Sequence, residues 1–270
     1  PLSQEAQAEC RFLLLSPNNL LKPSDGGPVA VPSQDMVLGI YYLTQERPGS
    51  IGEGKAFKSV NEAILAYENQ EATLHSRVKV RVSKTMPDGT VKTGVIESTI
   101  GRFIFNEIIP QDLGFVDRSI PENELKLEVD FHVAKKQLKQ ILEKVINVHG
   151  ATQTAVTLDD IKAIGYKFST RAAMTVSISD MTVPASKPKL IADAQATVDH
   201  IAKNFRRGLI TEEERYKEVI DVWKATDDQL THDLLTGLDK YNNIFMMADS
   251  GARGSDKQIK QLAGMRGLMA

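Results

Sequence analysis

Residues 245–270 read FMMADSGARGSDKQIKQLAGMRGLMA, and one arginine, two glycines and a serine in this run are spaced to hold an anion. Gly251 and Gly254 let backbone approach a ligand closely. Ser255 with Gln258 three residues on is a capping-box pattern that starts a helix at Asp256, with Ile259, Leu262 and Ala263 as its apolar positions. A helix start presents unpaired N–H groups and the positive end of the dipole. Arg253 adds a planar, permanently charged fork suited to phosphate, and Lys257 and Lys260 follow one and two turns on. The pattern points to a phosphate or anion site. It is not a Walker A loop, because the G-x-x-x-x-G-K-[ST] spacing is absent. A Gly/Ser loop before a helix also occurs where nothing binds, so both readings stay open.

Other reactive residue types give weaker patterns. The histidines are His75, His132, His149, His200 and His232; none falls in an H-E-x-x-H or paired Cys/His spacing, so no zinc site is expected. No G-x-S-x-G elbow occurs. Cys10 reads as a core residue rather than a nucleophile. Helix starts and solvated faces account for Asp159-Asp160, Asp227-Asp228 and the Glu212 to Glu214 run. Met246, Met247, Met265 and Met269 read as packing residues.

The chain has 270 residues, enough for one large or two modest cores, with 41% hydrophobic and 25% charged residues. A formal net charge of −2 gives no support for nucleic-acid binding by this piece. One cysteine excludes an internal disulfide and suits a reducing cytoplasm. No apolar run approaches the roughly 20 residues needed to cross a bilayer.

These site residues must be positioned by elements that the periodicity outlines. Residues 3–15 read as a helix capped by Ser3, with Ala6, Cys10, Leu13 and Leu14 on one face. Residues 35–43, apolar around Gly39, are helix or strand. Val78, Val80 and Val82 alternate with Arg77, Lys79 and Arg81, then Pro87-Asp88-Gly89-Thr90 turns and 91–100 returns, which predicts a hairpin with one buried face. Arg102 and Asn106, four apart, read as a side-chain pair anchoring a loop. Residues 133–146 form a helix burying Leu138, Ile141, Leu142 and Val145, with Lys135, Lys136, Lys139 and Lys144 outside. Residues 157–167 form another, started by Thr157 with Asp160. A long helical hairpin follows. Its first arm carries Leu190, Ile191, Ala194, Val198, Ile201 and Phe205, Gly208 suits a left-handed cap, and Thr211 with Glu214 opens a return arm carrying Tyr216, Val219, Ile220, Trp223, Leu230 and Leu234. By composition such a hairpin is a spacer or a docking post.

Several stretches carry a resemblance. FMMADSGARGSDKQIKQLAGMRGLMA resembles a segment of the beta-prime subunit family of bacterial DNA-directed RNA polymerases. The run PLSQEAQAECRFLLLSPNNLLKPSDGGPVAVPSQDMVLGIYYLT at 1–44, SRVKVRV at 76–82, TIGRFIFNEIIP at 99–110 and YKFSTRAAMTVSISDMTVP at 166–184 are similar to further blocks of that family, in the same order. The resemblance implies an α+β fold: a mixed helical region with a β-hairpin, and a long antiparallel helical hairpin, the rim helices. It divides the chain into a pore-region segment (1–110), a helical and loop segment of the secondary-channel region (111–185), the rim hairpin (186–236) and the Gly/Arg loop with its helix near the active centre (237–270).

The resemblance also implies roles. Arg253 matches the family arginine that reaches the incoming triphosphate, within the phosphate-binding set Gly251, Arg253, Gly254 and Ser255. Gln34, in VPSQDMVLG, matches a glutamine lining the channel, and Lys260 is expected to face the pore. The hairpin matches the rim helices at the mouth of the secondary channel, where Gre cleavage factors and factors of the DksA type dock; its tip is Arg206, Arg207, Gly208, Leu209 and Ile210. The family holds catalytic magnesium on the motif NADFDGD, which does not occur here and in the family precedes the residues matching Pro1. The chain therefore reads as an excised, catalytically silent piece of a cytoplasmic nucleotidyltransferase, with no cofactor of its own expected. Its expected partners are the beta, alpha, omega and sigma subunits, ribonucleoside triphosphates, DNA and RNA. Two rival readings are a stand-alone interaction module without nucleotide binding and an independent phosphate-binding enzyme.

Overall fold

The computed structural model describes residues 2–85 and 89–268. The chain forms two compact units: residues 1–173 with 250–252, and residues 174–249 with 253–270.

The first unit opens with α1 (Gln4–Glu9), where the Ser3 side chain accepts from the Ala6 N–H as expected of a cap. The helix then loosens into a π turn over Cys10–Leu14. The Asn18 side chain donates to the Phe12 carbonyl and the Asn19 side chain to that of Leu13, which ends it. Leu13 and Leu14, expected on a covered face, are exposed, because none of the described residues packs over them. The ambiguous apolar run is α2 (Asp35–Thr44), buried almost throughout. After the short β1 (Ala56–Phe57) and α3 (Val60–Glu68) come β2 (Arg77–Thr85) and β3 (Val91–Thr99). The sheet order is β1-β2-β3, with β1 parallel to β2 and β2 antiparallel to β3 in the register Val80↔Ile96. Val78 and Val80 are fully buried, as their alternation required. Of the turn, Pro87 and Asp88 lie outside the described residues, and Gly89 takes a left-handed φ of 81°.

Helix α4 (Ile100–Ile108) carries the Arg102–Asn106 pair, and the pair does anchor a loop. Asn106 Nδ2 donates to the Val129 carbonyl and its Oδ1 accepts the Val129 N–H, at 2.8 and 3.0 Å. Arg102 donates to the Thr44 carbonyl and pairs with Glu46 and Asp130. Helix α5 (Lys135–Ala172) runs on through both helices expected separately, with a break at Gly150 (φ 74°). Thr157 is therefore no cap. It lies buried inside the helix, where Asp160 has no helix start to support, because the second stretch has already begun behind Gly150. Leu138, Ile141, Leu142 and Val145 are fully buried and join α2 and α4 in one core.

His75 is buried in this unit, and its Nδ1–H donates to the Gln45 carbonyl at 3.1 Å. Burial disfavours the charged ring and pulls its pKa from 6.5 to about 4. Unfolded chain takes up this proton near pH 6.5, while folded chain resists until about pH 4. Between those values the unfolded state binds more protons, so stability falls as pH drops. A shift of this size corresponds to roughly 3 kcal/mol. Denaturant midpoints of wild type should therefore fall more steeply from pH 7 to pH 4.5 than those of a His75→Gln variant; parallel slopes would contradict a buried neutral ring.

The second unit is built on α6 (Lys187–Arg206) and α7 (Glu212–Gly237), the expected helical hairpin. Gly208 turns it at φ 71°. Thr211 and Glu214 form the reciprocal capping box, and the Thr211 N–H holds the Glu214 carboxyl below its ordinary pKa. Ala194, Ile201, Leu230 and Leu234 are buried. Tyr216 is exposed rather than on the seam, and Trp223 is only half-buried, although the last turns of α6 run beside the first turns of α7. Helices α8 (Asn243–Asp249) and α9 (Asp256–Ala263) complete the unit, with Leu234, Leu238, Ile244, Ile259 and Ala263 as a second core. Met246 is buried, in keeping with packing; Met269 lies outside the described residues.

Candidate functional site

The loop expected to bind phosphate passes from the first unit into the second between Ala252 and Arg253. Residues 250–252 belong to the first unit. Ser250 is fully buried; its carbonyl accepts the Lys135 N–H at 3.0 Å, one of the donors α5 cannot satisfy for itself. Gly251 has φ 70°, and a Cβ there would sit 3.3 Å from the Lys135 Cβ. Both its conformation and its close packing on α5 call for glycine there.

Arg253 belongs to the second unit. Its N–H donates to the Met247 carbonyl at 3.1 Å, tying the loop to the end of α8. The side chain is exposed, and among the described residues its guanidinium has neither an ion pair nor a hydrogen-bond partner. It stands on the rim of an open cleft of about 360 Å³ whose wall includes Met247, Gly254, Gln258, Ile259 and Leu262. Gly254 holds φ 89°, with only the Gln258 side-chain oxygen near its open face, at 3.9 Å. Glycine is needed there because an L side chain rarely adopts that conformation.

Ser255 does occupy the N-cap of α9, but the capping box does not form. The Gln258 N–H, which the serine side chain would need, donates instead to the Ser255 carbonyl at 2.9 Å in a tight first turn. Ser255 is exposed and its side chain makes no cap hydrogen bond. Lys260, in the second turn of α9, is half-buried. Its ammonium is engaged by the Asp227 carboxylate of α7, so it is not presented as an open cation. Sequence reasoning placed Asp227 on a solvated face; its partner lies far along the chain on another helix, and no local spacing could reveal it.

Gln34 lies in the first unit, at the N-cap of α2. It is exposed, gives no side-chain cap, and takes φ 49° and ψ −121°. A non-glycine residue in that region is strained by about 1–3 kcal/mol, a feature found preferentially at functional sites. At the tip of the hairpin Arg206, Arg207, Gly208 and Leu209 are exposed, with Leu209 68% accessible, and Ile210 is half-buried. No group of three or more His, Cys, Asp or Glu side chains among the described residues is placed to hold a metal ion. No helix is long and apolar enough to cross a membrane among the described residues.

Comparison with known proteins gives this geometry a family. A family model described as RNA polymerase Rpb1, domain 3, matches residues 19–181, more than half of the chain. The chain belongs to the RNA polymerase Rpb1/beta′ family. A second model, RNA polymerase Rpb1, domain 4, matches residues 210–270, the stretch that holds the hairpin's return arm and Arg253. The chain is 75% identical over 270 residues to the DNA-directed RNA polymerase subunit beta′ of Lachnoclostridium phytofermentans. It is 59% identical over 271 residues to that of Caldicellulosiruptor saccharolyticus, and 57% identical over 270 to that of Acetivibrio thermocellus. All of this chain is matched in each case, against 22–23% of those proteins. It thus spans about a fifth of the length of these beta′ relatives.

Proposed function

We propose that this beta′ region lines the nucleotide-entry channel of a DNA-directed RNA polymerase and presents Arg253 to the phosphates of the incoming ribonucleoside triphosphate. The observation that carries the reading is the Arg253 guanidinium. It is exposed, without a protein partner among the described residues, and fixed by its backbone between two helices. A permanent cation held ready costs no reorganisation when charge arrives, and it serves by offsetting and aligning the β- and γ-phosphates. The Ser255 hydroxyl and the start of α9 add donors of the right polarity. Gln34, strained and exposed, is read as a channel residue.

Chemistry proper lies with the rest of the enzyme: template-directed nucleotidyl transfer in the cytoplasm, on DNA and RNA held with the beta, alpha, omega and sigma subunits. Among the described residues no group of three or more His, Cys, Asp or Glu side chains is placed to hold a metal ion. The direct test is nucleotide addition by polymerase carrying Arg253→Ala, for which a rise in apparent KM or a fall in kcat of more than tenfold is expected. Unchanged kinetics would remove Arg253 from the site.

The hairpin is read as rim helices that dock Gre-type and DksA-type factors. Leu209 beside Arg206 and Arg207 offers an apolar contact and a charge at once, which is how interface anchors are built. Leu209→Asp should weaken factor binding by about tenfold or more while basal elongation stays within twofold. Equal binding in a titration of labelled factor would refute the tip contact.

A further inference from the structure

We propose that Asp227 and Lys260 form a positioning clamp that holds the Arg253 loop in register with the rim helices, so that a load on α7 reaches the triphosphate site through α9. The proposal rests on the reading of Arg253 given above.

Three observations within the second unit carry it. Lys260 lies in the second turn of α9, the helix that begins immediately after Arg253 and Gly254. Its ammonium is bound by the Asp227 carboxylate of α7, with the two side chains 22% and 14% exposed. The Arg253 N–H is bound to the Met247 carbonyl of α8. Arg253 is thus held between an α8 carbonyl and a helix whose only ion pair among the described residues is to the hairpin.

The clamp is poorly explained as a source of stability. Taking two charges out of water offsets most of their attraction, and such a pair is often replaceable by apolar residues without loss. Asp227 Oδ1 is buried with no hydrogen-bond partner among the described residues, a further cost. The apolar contacts between α7 and α9, Leu234 against Ile259 and Ala263, already bind the helices together. Apolar contact is non-directional, however, and tolerates a slide. The ion pair does not, because one carboxylate oxygen and one ammonium must meet. Its contribution is the register of α9 on α7, and with it the place of Arg253 at the cleft.

The test uses intact polymerase on a defined DNA–RNA scaffold, reading apparent KM and kcat for one ribonucleoside triphosphate. Asp227→Asn is expected to raise KM by about tenfold, below the roughly hundredfold that a 1 Å misplacement can cost. In an Arg253→Ala background the same substitution should add less than twofold, since it acts through that arginine. Lys260→Met, which keeps the apolar stem, should behave alike. Effects that multiply in the double variant would overturn the proposal, as would an unchanged KM for Asp227→Asn while Arg253→Ala raises it. If Arg253→Ala itself changes nothing, the phosphate reading falls, and the clamp with it. Failure of both clamp variants to assemble would also overturn it, since the pair would then hold the fold rather than the register.

Discussion

Gly39→Ala should unfold the first unit at far lower denaturant than wild type, with a loss of at least about 3 kcal/mol, the upper end of what overpacking ordinarily costs. A Cβ on Gly39 of α2 would sit 1.9 Å from the Gly165 carbonyl oxygen and 2.7 Å from the Ser169 nitrogen, both backbone atoms of α5. Backbone in a helix cannot swing aside as a side chain can, so the two helices would have to separate. The approach is matched elsewhere around α2. A Cβ on Gly165 would meet the Met36 carbonyl oxygen at 2.7 Å, and one on Gly101 of α4 would meet the Leu43 carbonyl oxygen at 1.8 Å. Separation would therefore disturb the core shared by Val37, Ile40, Leu43 and Leu142. Gly237, in the last turn of α7, is the control, because a Cβ there meets nothing within 4 Å. Gly237→Ala should be neutral or stabilise by up to about 1 kcal/mol through helix propensity. Equal midpoints for the two variants would show that the α2–α5 approach is looser than described.

How much of this was legible in the sequence varies by element. The hairpin was readable because its signals are local and mutually consistent: apolar steps of three and four, Gly208 at the turn, and Thr211 with Glu214 as a capping box that forms. The β2–β3 alternation was readable for the same reason. Thr157 with Asp160 imitated a helix start that Gly150 had already supplied, since a capping pattern carries no information about what precedes it. Ser255 with Gln258 imitated a box whose donor the backbone claimed first. The glycine contacts of α2 and the Asp227–Lys260 pair were not readable at all. Each depends on a partner in another helix, and one sequence gives no sign of which residues meet.

Of the candidate site, residue chemistry alone marked Arg253, and the structure gives its guanidinium no protein partner among the described residues. Gly251 packs on Lys135, and Lys260 is held by Asp227, contacts that local spacing does not announce. The difference is physical. A cation exposed in a glycine-flanked loop keeps its charge for a ligand, whereas one beside a carboxylate spends it at home.

Removal of Arg253 is the second large effect. A hydrogen bond to a charged group contributes roughly 1.5–3 kcal/mol, so losing one from a triphosphate is a change of about tenfold to a hundredfold. Arg253→Lys should recover only part of that, because an ammonium cannot reproduce the planar fork. The most direct measurement compares nucleotides that differ only in phosphate count. Wild-type polymerase on a fixed scaffold should bind a ribonucleoside triphosphate much more tightly than the matching monophosphate. Arg253→Ala should weaken the triphosphate by more than tenfold while leaving the monophosphate within twofold, narrowing the gap between them. If the variant weakens both equally, or neither, Arg253 does not meet the β- and γ-phosphates and the account of this site is wrong.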